Sequence, residues 1–510
     1  MTPPASGRPW TNSLAIAGWF TLAGLAIHML TNGAYGYFRD ELYFLDCGQH
    51  LDWGYVDHAP LVALVARVGR MLFGDSLHAI RFLPALAAAA KILLTGLIAR
   101  ELGGGRFAVG LACLCALAAP VYLALDTLLS MNAFEPVFWM ASVYVLLLAI
   151  NRGNPKLLVW LGVLAGLGLE NKHSMLFFGL ALAAGLLLAP ERRWFAGGWL
   201  WLAAAIAVAL FLPNLIWQIR HHWPTLEDLA NVKRVHKNVE LSPLAFLWQQ
   251  VQIMLPTSLL VWGAGLWFLL FHREGKRYRA LGWTYLAVLA IMMALKGKSY
   301  YLAPAYPMLF AAGGVLWERL AARAWLRALL AAAIALPGVA IAPTVLPILA
   351  PERLIRYQEA LGFSPPKTEV HHAGPLPQYL GDMFGWEEMV AAVAKVYYAL
   401  PLGERAQAAI YAGNYGEAGA IDFFGPRYGL PPAICAHQTY YFWGPRQYSG
   451  AVMILLQSER RSAGRFFASV EDGPVLDNPY AMSEEHYTIL IGRGLKQPLA
   501  RIWPLLKHWN

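Results

Sequence analysis

The chain has 510 residues, of which 58% are hydrophobic and only 14% charged, with 20 tryptophans and a mean hydropathy of +0.44. That balance excludes an ordinary soluble globular protein, in which about a quarter of residues are charged, and it indicates a polytopic α-helical membrane protein. The formal charge of +9 does not call for nucleic acid, because a Lys/Arg excess in a membrane protein reports topology.

Apolar runs long enough to cross a ~30 Å hydrocarbon core recur through the first 350 residues, and the need to satisfy every backbone polar group in lipid selects helices. The expected spans are 12–33, 78–100, 107–124, 133–150, 157–170, 174–190, 194–213, 244–271, 280–296, 301–318 and 326–349, about eleven transmembrane helices. Arg8 precedes the first run, and Leu14 to Leu30 is too long for a signal-peptide core, so this helix is expected to be retained. Cys113 and Cys115 lie inside an apolar run and Cys47 and Cys435 are far apart, which implies neither a disulfide framework nor a zinc module.

With a cytoplasmic N-terminus, the inside loops 100–106, 152–156, 192–193, 273–279 and 319–327 are all basic, as the positive-inside rule requires. The outside segments then carry charges of the wrong sign: Lys172 and His173 after Glu170-Asn171, Lys296 and Lys298 in a short turn, and Arg220, His221 and His222 within 214–242. Cations at apolar helix ends on the outer side are what an anion-binding cavity requires. Snorkelling lysines and interfacial anchors are the plain alternative.

After residue 349 the composition shifts. An amphipathic stretch from Trp386 to Leu400 and strand-like runs at 408–411, 451–456 and 487–491 predict a soluble α/β domain, dividing the chain into 1–349 and 350–510. Gly413-Asn414-Tyr415-Gly416-Glu417 follows a strand and opens a helix, a structural turn or ligand rim without dinucleotide-binding glycine spacing.

The most informative residues are Asp40 and Glu41, adjacent carboxylates just beyond the first apolar run. Carboxylates near hydrocarbon cost several kcal/mol unless solvated or paired, so the pair is either a functional site or a helix cap. They stand in Tyr37-Phe38-Arg39-Asp40-Glu41-Leu42-Tyr43, followed by Asp52-Trp53-Gly54-Tyr55-Val56-Asp57-His58-Ala59-Pro60. This loop resembles that of the bacterial membrane glycosyltransferases of the GT-C fold, relatives of the protein O-mannosyltransferases and of the lipid A aminoarabinose transferase. The likeness extends more loosely through 170–173 and through Lys298-Ser299-Tyr300-Tyr301-Leu302-Ala303-Pro304.

The resemblance implies an inverting enzyme of the bacterial inner membrane. It would move a monosaccharide from a polyprenyl-phosphate carrier to a hydroxyl on a lipid, polysaccharide or protein at the periplasmic face. A carboxylate within reach of the acceptor hydroxyl can take its proton, which suits Asp40, with Glu41 orienting the loop. Cations stabilise the departing lipid phosphate, which suits Lys172 and Lys298; by resemblance Tyr301 lies near the carrier phosphate, and Tyr300 and Arg220 are further donors. Asp57 and His58 are candidates for orienting the acceptor or for a divalent-metal site, although the family's Glu-Lys before the prolines is missing here. Asp126 is expected either to line the same cavity or to cap a helix. No other cofactor is implied. A transporter or flippase is the rival class, but its paired halves are not evident and the charges cluster on one face instead of at the midplane.

Overall fold

The computed structural model describes residues 12–362, 367, 369–370 and 373–510, so Arg8 lies outside the described residues. The chain forms two compact units. The first comprises the described part of Met1–Asn32 with His78–Ile216 and Glu240–Ile348; the second comprises Gly33–Leu77, Trp217–Val239 and Leu349–Asn510.

The first unit is helical throughout, and each of the eleven expected spans coincides with a helix or with a pair of helices. Among the described residues five helices are long and apolar enough to cross a membrane, rising to seven if two bent pairs each count as one span. The bends have local causes. Pro243–Ile253 and Pro256–Leu270 meet at 100°: a residue before proline is disfavoured in the helical region, and Leu255, ahead of Pro256, leaves it with φ 71°. The 107–124 run likewise breaks between Arg106–Ala118 and Pro120–Leu125.

Close packing in this unit depends on small residues. A Cβ on Gly265 would come within 2.0 Å of the Leu309 carbonyl oxygen, and one on Gly313 within 1.9 Å of that of Val261. Leu259–Leu270 and Tyr306–Leu320 therefore touch backbone to backbone, a recurrent solution where lipid removes the hydrophobic drive between helices.

The second unit contains a five-stranded sheet of order β2-β1-β3-β5-β4, built from β1 (Ala408–Ala412), β2 (Ile434–Cys435), β3 (Val452–Leu455), β4 (Phe467–Leu476) and β5 (Tyr487–Leu495). β1 runs parallel to β2 and β3, while β3–β5 and β4–β5 are antiparallel. Ala409, Met453, Leu455, Phe467 and Leu490 pack one face with Trp503. The Tyr415–Phe424 helix leaves β1 through Asn414, whose side chain caps it at Glu417 N (3.0 Å). That helix lies tightly against the Arg39–Gln49 helix: a Cβ on Gly419 would stand 2.8 Å from the Leu42 carbonyl carbon. The loop after the first apolar run is thus a structural part of the unit that carries the sheet.

Candidate functional site

In the first unit, Lys172 ends the Leu158–Asn171 helix, and its ammonium donates to Asn132 Oδ1 and Glu135 Oε2, both at 2.8 Å. Glu135 is itself fixed by the Ser174 hydroxyl. The Lys172 Nζ stands 4.3 Å from the Tyr301 ring centre and 6.0 Å from that of Tyr300, close enough for cation–π attraction to hold the charge in apolar surroundings. Tyr300 and Tyr301 belong to the 3-10 turn Ser299–Ala305, which Lys298 precedes. Buried side chains anchor this turn: Gln250 Nε2 donates to Ser299 O (2.9 Å) and the Tyr122 hydroxyl to Ala303 O (2.7 Å). Two short outer segments far apart in sequence therefore meet at Lys172. Both carboxylate oxygens of Glu170, two residues away, are buried without a hydrogen-bond partner among the described residues.

Asp126 lies in the same unit and is fully enclosed, pairing with Lys91, with His28 Nε2 at 3.9 Å. The Lys91 ammonium sits 3.8 Å over the Tyr122 ring. Lys91 is hidden in the sequence within an alanine- and leucine-rich span, where one charge barely lowers the mean hydropathy.

The second unit assembles Asp40, Glu41, Asp57 and His58. Glu41 Oε2 accepts from Phe38 N at 2.9 Å and so closes the start of the Arg39–Gln49 helix. Asp40, one position earlier, points elsewhere, since successive helical side chains diverge by about 100°; its Oδ1 accepts from the Tyr415 hydroxyl at 2.8 Å. The Tyr43 hydroxyl lies 2.8 Å from Asp57 Oδ1 and 2.7 Å from Thr439 Oγ1, and the Tyr43 ring packs on Tyr415 at 4.8 Å. Desolvation among these rings raises the Asp57 carboxyl to about 7; the Tyr43 hydrogen bond opposes the rise and the Asp40 charge adds to it. Burial likewise lowers the His58 imidazole to about 4, and His58 stacks on Tyr55 at 4.5 Å. Arg39 pairs with Glu484 and with Asp382 at 3.6 Å. Arg220 is exposed at the end of the Gly198–Arg220 helix.

Tyr415, Thr439, Asp382 and Glu484 carry no sequence signal that ties them to Asp40. The one usable hint is the glycine pair around Asn414 and Tyr415: a Cβ on Gly416 would come within 2.3 Å of Arg39 Cγ. Among the described residues no group of three or more His, Cys, Asp or Glu side chains is placed to hold a metal ion, and the chemistry below is routed through none.

The fold is shared with two crystal structures of ArnT from Cupriavidus metallidurans. The one bound to undecaprenyl phosphate aligns with a TM-score of 0.62 at 14% identity, over 93% of this chain and 98% of that one. The apo form gives 0.60 at 16%, over 94% and 98%. This is the GT-C fold in a multi-pass membrane protein. In sequence, residues 57–217 match the family described as dolichyl-phosphate-mannose-protein mannosyltransferase. The lipid A galacturonosyltransferase RgtD of Rhizobium johnstonii (strain DSM 114642 / LMG 32736 / 3841) is 27% identical over 307 residues, 57% of this chain. The match spans 62% of that relative's length. The chain thus has the GT-C fold and, over part of its length, resembles membrane glycosyltransferases in sequence.

Proposed function

We propose that the chain transfers a monosaccharide from a polyprenyl-phosphate carrier to a hydroxyl acceptor on the periplasmic side of the bacterial inner membrane, with inversion. The observation that carries this reading is the Lys172 ammonium, fixed by Asn132 and Glu135 and set 4.3 Å from the Tyr301 ring. An ammonium has three donors; two are taken by these partners, and the third serves a phosphate oxygen. Tyr300, Tyr301 and Lys298 complete the anion cradle, and Arg220 is a further donor to the donor substrate.

Asp40 acts as the base. As the acceptor oxygen attacks the anomeric carbon, its proton passes to the Asp40 carboxylate while the carbon–phosphate-oxygen bond breaks, and the polyprenyl phosphate leaves with the electron pair. One displacement inverts the anomeric centre. Glu41 positions Asp40 through the helix start. Asp57 and His58 orient the acceptor through Tyr43, and the Asp126–Lys91 pair steadies Tyr122 and hence the turn that bears Tyr301. The 1–349 region forms the membrane-embedded catalytic part with about eleven spans, and 350–510 the periplasmic α/β part. ArnT was crystallised with undecaprenyl phosphate, which supports a lipid-phosphate donor, and RgtD is described as a lipid A galacturonosyltransferase, which makes a uronic acid the first sugar to test.

The test uses purified chain in lipid nanodiscs with polyprenyl-phosphate-linked hexose, aminopentose or uronic acid. A new glycosidic bond on a hydroxyl acceptor supports the reading. In vesicles, movement of the intact carrier across the bilayer without any new bond would establish a flippase instead.

A further inference from the structure

A cavity of about 350 Å³ lies wholly within the second unit, and Arg39, Lys237, Asn414, Tyr415, His437 and His508 form most of its wall. That volume lies within the range of small-molecule sites, yet only Val235 in the lining is aliphatic. The wall residues are fixed by partners, of which Gln457, Glu484 and Asn510 also line the cavity. Tyr415 is bound to Asp40 (2.8 Å), and Asn414 donates to Gln457 Oε1 (3.1 Å). Lys237 Nζ (3.0 Å) and His437 Nε2 (3.4 Å) both reach the Asn510 carbonyl oxygen. The His437 and His508 rings stack at 4.6 Å.

We propose that this cavity is a saccharide subsite that holds a sugar ring of the acceptor. The proposal rests on Asp40 being the base, since Tyr415 both lines the cavity and hydrogen-bonds the Asp40 carboxylate. The wall chemistry selects the class. A lipid tail would find only one aliphatic side chain, Val235, among polar and aromatic neighbours. A bare anion would find Arg39 already answered by Glu484 and Asp382. A pyranose, by contrast, presents hydroxyls that donate and accept on its rim and C–H groups on its faces. Arg39 and Lys237 only donate, Asn414 donates and accepts, and Tyr415, His437 and His508 offer flat faces. Burial holds His437 well below its ordinary range, with the charge of His508 acting in the same direction; its ring nitrogens meet Tyr415 N and the Asn510 oxygen, so it meets a sugar with the face of a neutral ring. The glycines of the 413–417 segment follow from the same geometry, because side chains at 413 and 416 would run into Gln457 and Arg39.

The experiment is saturation-transfer difference NMR on the full chain in nanodiscs, without donor, using the methyl glycosides of glucose, glucosamine and galacturonic acid as probes. Saturation transfer to the ring protons of at least one probe is expected. It should weaken by about tenfold in affinity, the cost of one hydrogen bond to a charged group, in Lys237→Gln, and vanish in Val235→Trp, which covers the cavity from an exposed position on its rim. No transfer to any probe, or equal transfer in a folded Val235→Trp chain, overturns the subsite. In turnover assays Val235→Trp should raise the acceptor KM and spare the donor KM; an unchanged acceptor KM sinks the subsite and leaves the transferase reading standing. Sugar binding in a chain that forms no glycosidic bond with any donor would sink that reading and the acceptor role together, while the cavity would still bind sugar.

Discussion

The Lys172 cluster of the first unit and the Asp40 cluster of the second are built by opposite means. Lys172 is held by charge: a carboxylate and an amide at 2.8 Å and an aromatic face, all where water is scarce. Asp40 accepts its hydrogen bond from a neutral partner, a tyrosine hydroxyl with rings stacked behind it, and the Arg39 charge acts on it without a direct ion pair. A cation that must stabilise a phosphate has to remain charged in apolar surroundings, which calls for a fixed counter-ion. A base must be free to take a proton, which a salt bridge would discourage. The contrast in partners matches the contrast in proposed roles.

The largest effect is expected where that contrast is sharpest. Asp40→Asn keeps the hydrogen bond from Tyr415 and removes the base, so kcat should fall by about 10²–10⁴-fold, with carrier binding, followed by fluorescence of a labelled polyprenyl phosphate, at the wild-type level. Next comes Lys172→Ala, which leaves Glu135 without its counter-ion and with only the Ser174 hydroxyl as donor. Loss of one partner of a buried pair costs about 3–5 kcal/mol, so thermal unfolding and carrier affinity should both suffer, and adding Glu135→Gln should restore much of the stability but not the affinity. Stability restored together with affinity would make Lys172 a structural residue only.

The helices were legible because lipid demands long apolar runs, and the charged turns at 170–173 and 296–298 stood out against them. The breaks were not read: Pro256 sits inside an otherwise continuous run at 244–271, and hydropathy averages across it. Asp126 was visible, whereas its partner Lys91 was submerged in the surrounding alanine and leucine. In the second unit, three of the five strands are legible from their β-branched and aliphatic runs, while β2 and β4 are not: β2 is only two residues, Ile434–Cys435, and β4, Phe467 to Leu476, is mostly exposed and carries Gly473 and Pro474. The joining of 33–77 and 217–239 to the tail left no trace, since contacts between distant loops have no periodicity. Tyr415 therefore read as part of a turn when it is a direct partner of Asp40.

Smaller effects sharpen the contrast within the second unit. The Asp57 carboxyl is raised from 3.8 to about 7, so the folded chain binds this proton more tightly than the unfolded chain does. Its contribution to stability is fully present below pH 3.8 and is lost as pH rises through about 7. Asp57→Asn, which cannot ionise, should gain in melting temperature relative to wild type between pH 5 and pH 8; a difference independent of pH would show that Asp57 is not desolvated as described. The smallest effect belongs to Glu41→Gln. The amide oxygen still accepts from Phe38 N, so stability should change by less than about 1 kcal/mol and kcat far less than in Asp40→Asn. Equal losses in the two variants would erase the distinction between base and positioning residue.

The central claim is a single displacement at the anomeric carbon with a polyprenyl phosphate as leaving group. It is tested most directly by giving the wild-type chain a polyprenyl-phosphate sugar of known anomeric configuration and reading the product linkage from its one-bond carbon–proton coupling. Inversion is predicted. A retained configuration, or an intact donor with no new linkage under conditions where the carrier binds, would contradict it.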